Sequence, residues 1–189
     1  MEAAPSLEMT YEEYVAFERD AEGKHEFVHG HVYAMSGGSP EHARLSQAIG
    51  AALTVALRGK SCAAFSSDLR VRIQATGRST YPDVTVVCGK LERDAIDTDA
   101  VTNPRVIVEV LSPSTESSDR GDKWAHYQRV ESLREYVLVS QSTARVEVFS
   151  RDEAQSGWLY RQYGVGQTVE LRSLETSLDV DAIYANPLS

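Results

Sequence analysis

Two strand-like apolar stretches each carry a single carboxylate: Asp83 in YPDVTVV (81–87) and Glu109 in VIVEVLSPST (106–115). An acid placed in apolar surroundings is costly unless something pairs with it. Two carboxylates near the ends of neighbouring strands can clamp one divalent cation. Mg²⁺ takes oxygen ligands, accepts one or two carboxylates and keeps several waters, and a backbone carbonyl such as that of Val110 can add a ligand. A cation so held polarises a phosphoryl oxygen and supplies hydroxide, and a lysine close by would stabilise the developing charge or orient the attacking water. The competing readings are structural. Asp83, directly after Pro82, can simply accept hydrogen bonds from a turn, and Glu109 can form a buried ion pair with Arg70, Arg72 or Arg105.

Other residue types have chemistry to offer. His25, His29 and His31 alternate in register beside Glu26, with Glu41 and His42 close in sequence. A transition metal needs such ligands to converge on one face; solvated hairpin histidines are the alternative. Arg70 and Arg72 share one strand face and would either contact a phosphate backbone or neutralise sheet carboxylates such as Asp68.

The elements that must position these groups follow from pattern. Residues 9–21 read as a short helix with Thr10 and Glu13 as a capping box. KHEFVHGHVYAM reads as a tight hairpin turning at Gly30. Ser39 and Pro40 open the clearest helix, whose apolar positions Leu45, Ile49, Leu53 and Leu57 follow helical spacing up to Gly59. Strands are expected at CAAFS, DLRVRIQ and PDVTVVC, with ATGRST a surface turn and 91–104 an exposed connection. RVIVEVLS has the composition of a strand covered on both faces, with Ile107, Glu109 and Leu111 on one side and Val108 and Val110 on the other. A helix over 117–130, capped by Ser117, Ser118 or Asp119 and weakened by Gly121, leads to the strand REYVLVS. A hairpin, a last strand and a short helix near Asp181 complete the chain. A strand–helix–strand crossover implies an α/β (α+β) fold with a mixed sheet and helices on both faces. We expect one domain over 1–189: a helix and hairpin (1–36), a core (37–142) and an antiparallel extension (143–189).

Bulk properties bound the answer. The chain has 189 residues, 42% hydrophobic and 25% charged, and no apolar run long enough to span a membrane. MEAAPSLEMTYEEY lacks the apolar segment of a secretory signal, so cytoplasmic residence is the default. Cys62 and Cys88 read as buried free thiols. The net charge of −9 excludes binding of nucleic acid through a broad basic surface; such binding would need a local patch, a metal or an oligomer.

The combination of YPDVTVV, VIVEVLSPST and the D-x-x-x-K-x-x-x-Y spacing of Asp119, Lys123 and Tyr127 resembles the PD-(D/E)XK nuclease superfamily. More closely, it resembles the Uma-two family of restriction endonuclease-like proteins. HEFVHGHVYAMSGGSPEH, SSDLRVRI and REYVLVS also match, in the family's order, over most of residues 8–150. The resemblance implies a divalent metal, Mg²⁺ or Mn²⁺, held by Asp83, Glu109 and the Val110 carbonyl, and hydrolysis of DNA phosphodiester bonds. Where the superfamily's E-x-K would place a lysine, this chain has Leu111; the family pattern offers Lys123 from the following helix instead. Glu26, as a further metal ligand, and His42, as a contact to phosphate or bound water, also fall on family positions. Nuclease-fold proteins that cut both strands commonly act as dimers, and the aromatic hairpin at 144–163 (Trp158, Tyr160, Tyr163) is the candidate interface. The alternative is a catalytically inactive relative that binds nucleic acid or a protein partner, or a plain metal-binding scaffold.

Overall fold

The computed structural model describes residues 8–152 and 154–188; the first seven residues, on which the reading of the N-terminus partly rests, lie outside them. The elements run α1 (Tyr11–Asp20), β1 (His25–Val28), β2 (His31–Ala34), α2 (Pro40–Ala56), β3 (Cys62–Ser66), β4 (Arg70–Ile73), β5 (Arg78–Thr80) and β6 (Val84–Cys88). They continue through β7 (Ala100–Val101), β8 (Pro104–Leu111), α3 (Glu116–Arg120), α4 (Asp122–Tyr127), β9 (Glu135–Ser140), β10 (Arg145–Asp152) and β11 (Gly157–Gly164), then β12 (Thr168–Leu171), β13 (Thr176–Asp179) and α5 (Val180–Tyr184).

The strands form two main sheets rather than one. The central sheet has the order β11-β10-β9-β8-β6-β3, a second has β2-β1-β5-β4-β7, and β12 and β13 make a small hairpin. The central sheet is mixed because β8 and β9 run parallel, joined by the crossover through α3 and α4, while its other pairs are antiparallel. Its faces divide as alternation predicts. Val106, Val108 and Val110 join Leu45, Ile49 and Leu53 of α2 in one core. Ile107 and Leu111 join Tyr127, Leu133, Tyr136 and Leu138 in the other. Helices therefore cover both faces, and β10 and β11, read from the sequence as an extension, are the outer strands of this same sheet.

Local signals explain the helix boundaries. Thr10 and Glu13 make the reciprocal capping box. Ser39 caps α2 by accepting from His42 N, with Pro40 in its first turn.

Several expectations change. ATGRST is no surface turn: Arg78, Ser79 and Thr80 form β5, which is fully buried because β1 and β4 flank it. The segment 91–104 contains β7 and the buried Asp94 and Asp97. The helix expected over 117–130 is two short helices, and α3 starts after Thr115 without a side-chain cap. Gly121 separates them, and a β-carbon there would meet the Ser117 carbonyl oxygen at 3.0 Å. Cys62 and Cys88 are not free thiols. They sit directly opposite each other across β3 and β6 and are joined as a disulfide, a pairing visible only once the strand register is known.

Candidate active site

The antiparallel register of β6 and β8 sets Val84 opposite Val108, which brings Asp83 beside the second half of β8. Asp83 Oδ2 accepts from the Val110 amide at 2.7 Å, and the Asp83 amide lies 3.4 Å from Glu109 Oε2. Asp83 thus bonds across strands instead of capping a turn, and the two acids stand side by side at the strand ends.

Lysine reaches them from the opposite layer. α4 lies over the face carrying Glu109 and delivers Lys123, whose Nζ is 3.2 Å from Glu109 Oε1, 3.2 Å from Asp119 Oδ1 and 3.4 Å from Glu26 Oε1. Asp119 and Lys123 are one helical turn apart, spanning the break at Gly121. One turn further, Tyr127 donates its hydroxyl to Glu109 Oε1 at 2.8 Å. Glu109 therefore pairs with Lys123 and not with Arg70, Arg72 or Arg105.

α2 contributes from a third direction. Its cap at Ser39 orients the first turn so that His42 Nε2 lies 3.3 Å from Asp83 Oδ2. Gly38 permits this placement, since a β-carbon there would stand 2.7 Å from Nδ1 and 2.9 Å from Cγ of His42. Ser39 Oγ also accepts from Gln141 Nε2 at 2.7 Å, which ties the start of α2 to the end of β9.

Glu26 comes from the second sheet. Its Oε2 accepts from Arg78 at 2.8 Å and its Oε1 from Thr80 at 2.5 Å. Both oxygens already face donors, so the geometry makes Glu26 a partner of Lys123 instead of a metal ligand. Arg78 also reaches Asp122 on α4, joining the second sheet to the helix that carries Lys123.

The remaining candidates lie elsewhere. Arg70 is buried, paired with Asp97 and hydrogen-bonded to Tyr81. Arg72 donates to the Gly77 carbonyl and stacks 3.5 Å above the Tyr11 ring. Both hold the second sheet together. The carboxylate that Arg70 neutralises is Asp97, while Asp68 pairs with Lys24. The histidines diverge: His25 bonds Glu18, His29 packs on His126 and His31 lies against Tyr33. Of the hairpin aromatics, Trp158 packs edge-on against Trp124 and Tyr160 tilts onto Phe149.

Charge balance defines the site's chemistry. Burial pushes the Glu109 carboxyl up to about 8, and the charges of Asp119 and Asp83 add to this against the opposing pull of Lys123. Burial alone would lower the Lys123 amine, but Glu109, Glu26 and Asp119 outweigh it and hold the amine well above its ordinary value. Lysine therefore stays an ammonium, and Glu109 is the member of the pair that takes up a proton. The hydrogen bond to Asp83 raises His42. Burial works to raise Glu26, but Lys123 and Arg78 bring it below its usual value.

This donor set fits a hard cation. Asp83 and Glu109 stand side by side, and the ligands they offer are oxygens. Among the described residues no three acid, histidine or cysteine side chains are placed so that they could hold a metal ion by themselves. Two carboxylates plus waters is the number a magnesium site uses. The acids open onto a cleft of about 1010 Å³ between α2, β3 and the turn at 112–115.

Asp119, Tyr127 and Arg78 join Asp83, Glu109, Lys123, Glu26 and His42 at the site; the sequence offers the first two only as members of a motif and gives them no role. The i, i+4, i+8 spacing of Asp119, Lys123 and Tyr127 was the available signal for two of them. Arg78 had none.

Comparison with known proteins follows the same outline. Residues 11–182 match the Uma2 family, described as "Putative restriction endonuclease". The chain is 37% identical over 182 residues to the Synechocystis protein slr1290, covering 96% of this chain and 94% of that one. It is 32% identical over 151 residues to sll1609 of the same organism, covering 80% and 85%. Among solved structures it is similar to a "putative nuclease belonging to DUF820" from Anabaena variabilis, with a TM-score of 0.70, 15% identity and coverage of 87% and 91%.

Proposed function

The chain belongs to the Uma2 family, and from that premise we propose that it is a metal-dependent nuclease hydrolysing phosphodiester bonds of DNA. The observation that carries this reading is the convergence of Asp83, Glu109 and Lys123, from a strand entry, a strand interior and a helix, on the floor of one cleft.

Asp83, Glu109 and the Val110 carbonyl would hold Mg²⁺ or Mn²⁺. When bound, such a cation acts as a Lewis acid on a phosphoryl oxygen and lowers the pKa of water. The chain's own groups do the rest. Lys123, permanently charged and fixed by three carboxylates, orients Glu109 and offers positive charge to a phosphoryl group entering the cleft. His42, which its hydrogen bond to Asp83 shifts toward the protonated form, can donate from its ring to a phosphate oxygen or a leaving oxygen. Tyr127 fixes the Glu109 rotamer, and Glu26 with Arg78 fixes the amine.

The test is hydrolysis of a pool containing supercoiled plasmid, circular single-stranded DNA and RNA, with Mg²⁺ or Mn²⁺. Cleavage is expected from the wild type and lost in Asp83→Ala and Glu109→Gln. The absence of cleavage of every member, with either metal, would overturn the reading in favour of a non-catalytic relative.

A further inference from the structure

The geometry points to an unpaired strand, not a duplex, as the nucleic acid that enters this cleft, an inference that rests on the nuclease reading above. Three observations carry it.

The first is depth. The side chains of Asp83, Glu109 and Lys123 are only 16%, 4% and 10% exposed. They sit at the bottom of a cleft walled by α2 on one side and β3 on the other. A duplex phosphate is fixed on a stiff surface with the second strand behind it, whereas the backbone of an unpaired strand is free to bend and carry a phosphate down to the acids. The 1010 Å³ cleft is at the upper end of small-ligand sites, about 300–1,000 Å³, enough for a short run of nucleotides.

The second is wall chemistry. The α2 wall includes His42, Ala43, Gln47, Ala51 and Thr54, and the β3 wall Ala64 and Ser66. His42 apart, none is charged. Among the lining residues the only ammonium groups are Lys123, locked by three carboxylates, and Lys24, which pairs with Asp68. Nearby cations are committed elsewhere: Arg44 to the Ala185 carbonyl and Lys60 to the carbonyls of Leu174 and Glu175. A duplex presents two charged backbones, one charge per about 1.7 Å of axis, and its binders supply cations to both. Beyond Lys123 and His42 at its floor, this cleft supplies none along its walls.

The third is what replaces cations. The exposed Met35 and Val55 offer apolar surface for base faces. Apolar contact with base faces reads no sequence, in keeping with the sequence tolerance of single-strand binding. The hydroxyls of Ser66, Ser67, Ser112 and Ser114 can serve sugar and phosphate oxygens without charge. Whether the strand is DNA or RNA is left to the substrates compared, since both share this chemistry.

The experiment measures cleavage in Mn²⁺, and binding by fluorescence anisotropy in Ca²⁺, of a fluorescein-labelled oligothymidine, an oligouridine and a DNA duplex of equal length. Single strands are expected to be cut at least tenfold faster than duplex. Their affinity should fall less than about tenfold between 50 and 200 mM salt, where six to ten phosphate contacts would lose about 10³–10⁵. Ala51→Trp, which fills the α2 wall, should weaken single-strand binding at least tenfold while Ala51→Ser does not; the salt dependence of the wild type decides the matter even if the tryptophan variant misfolds. Duplex cleaved as fast as, or faster than, single strands would overturn the inference and leave the nuclease reading standing. Neither substrate being cut or bound would overturn both.

Discussion

The Lys123 amine lies 3.2 Å from Glu109 Oε1 although the two residues are 14 positions apart. Leu111, two residues after Glu109, is buried in the core under α4. The strand position that would carry an E-x-K lysine therefore contributes apolar packing, and the amine arrives from the helix packed above it.

Removing that amine would leave Glu109, Glu26 and Asp119 without their shared counter-ion. Breaking a buried ion pair from one side costs about 3–5 kcal/mol. Lys123→Met is expected to destabilise the metal-free protein by about this amount at pH 9 and by less at pH 6, where Glu109 carries a proton. Urea unfolding at both pH values checks it; equal loss at both would show that charge is not the cause.

Stability of the metal-free protein should depend on pH through Glu109. Its carboxyl is raised from 4.5 to about 8 in the fold, so folding takes up a proton across that window. Stability is greatest below about pH 4.5 as far as this group is concerned, and falls as pH rises toward 8. The raised His42 adds in the same direction. Glu109→Gln should flatten most of the slope and, at pH 8, raise Tm by about 2–8 °C, the shift that about 1–2 kcal/mol gives in a chain of this size. The same variant should lose the Tm increase that Mg²⁺ gives the wild type. A Glu109→Gln protein with an unchanged slope would contradict the assignment.

Much of this was legible in the sequence. Glu109 stood out because an acid inside a VIV-type run breaks the pattern of its own strand, Asp83 because it stands at the entry of another such run, and Lys123 entered through the family resemblance, on the spacing it shares with Asp119 and Tyr127. Arg78 was hidden because β5 is three short residues, Arg78–Thr80, with no apolar alternation; its burial comes from β1 and β4 on either side. Glu26 was placed correctly in the hairpin, but its engagement by Arg78 and Thr80 depends on that unseen strand. The salt bridge of Arg70 to Asp97 likewise required a segment that composition alone marked as exposed.

Gly38→Ala should act on the site without touching it directly. The new methyl group would overlap the His42 ring at 2.7–3.1 Å and push it from Asp83. The His42 titration, followed by NMR, should then move down toward the ordinary histidine value near 6.5, with cleavage reduced. A titration identical to wild type would show that the ring finds another route.

Reduction of Cys62–Cys88 should cost about 2–4 kcal/mol, or a drop of about 5–15 °C in Tm. Melting curves with and without a phosphine reductant measure it, and Cys62→Ala/Cys88→Ala should match the reduced protein. Identical curves would mean the bond is absent in solution.

The groups on the floor of the cleft come from β1, α2, the entry to β6, the middle of β8 and α4. Lys123 is the last of them to be synthesised, and Tyr127 follows it by one turn. A ribosome-bound chain short of that point holds the acids without their amine. The acids and their amine therefore come together only once the chain extends past α4, and a cut between β8 and α4 would part them.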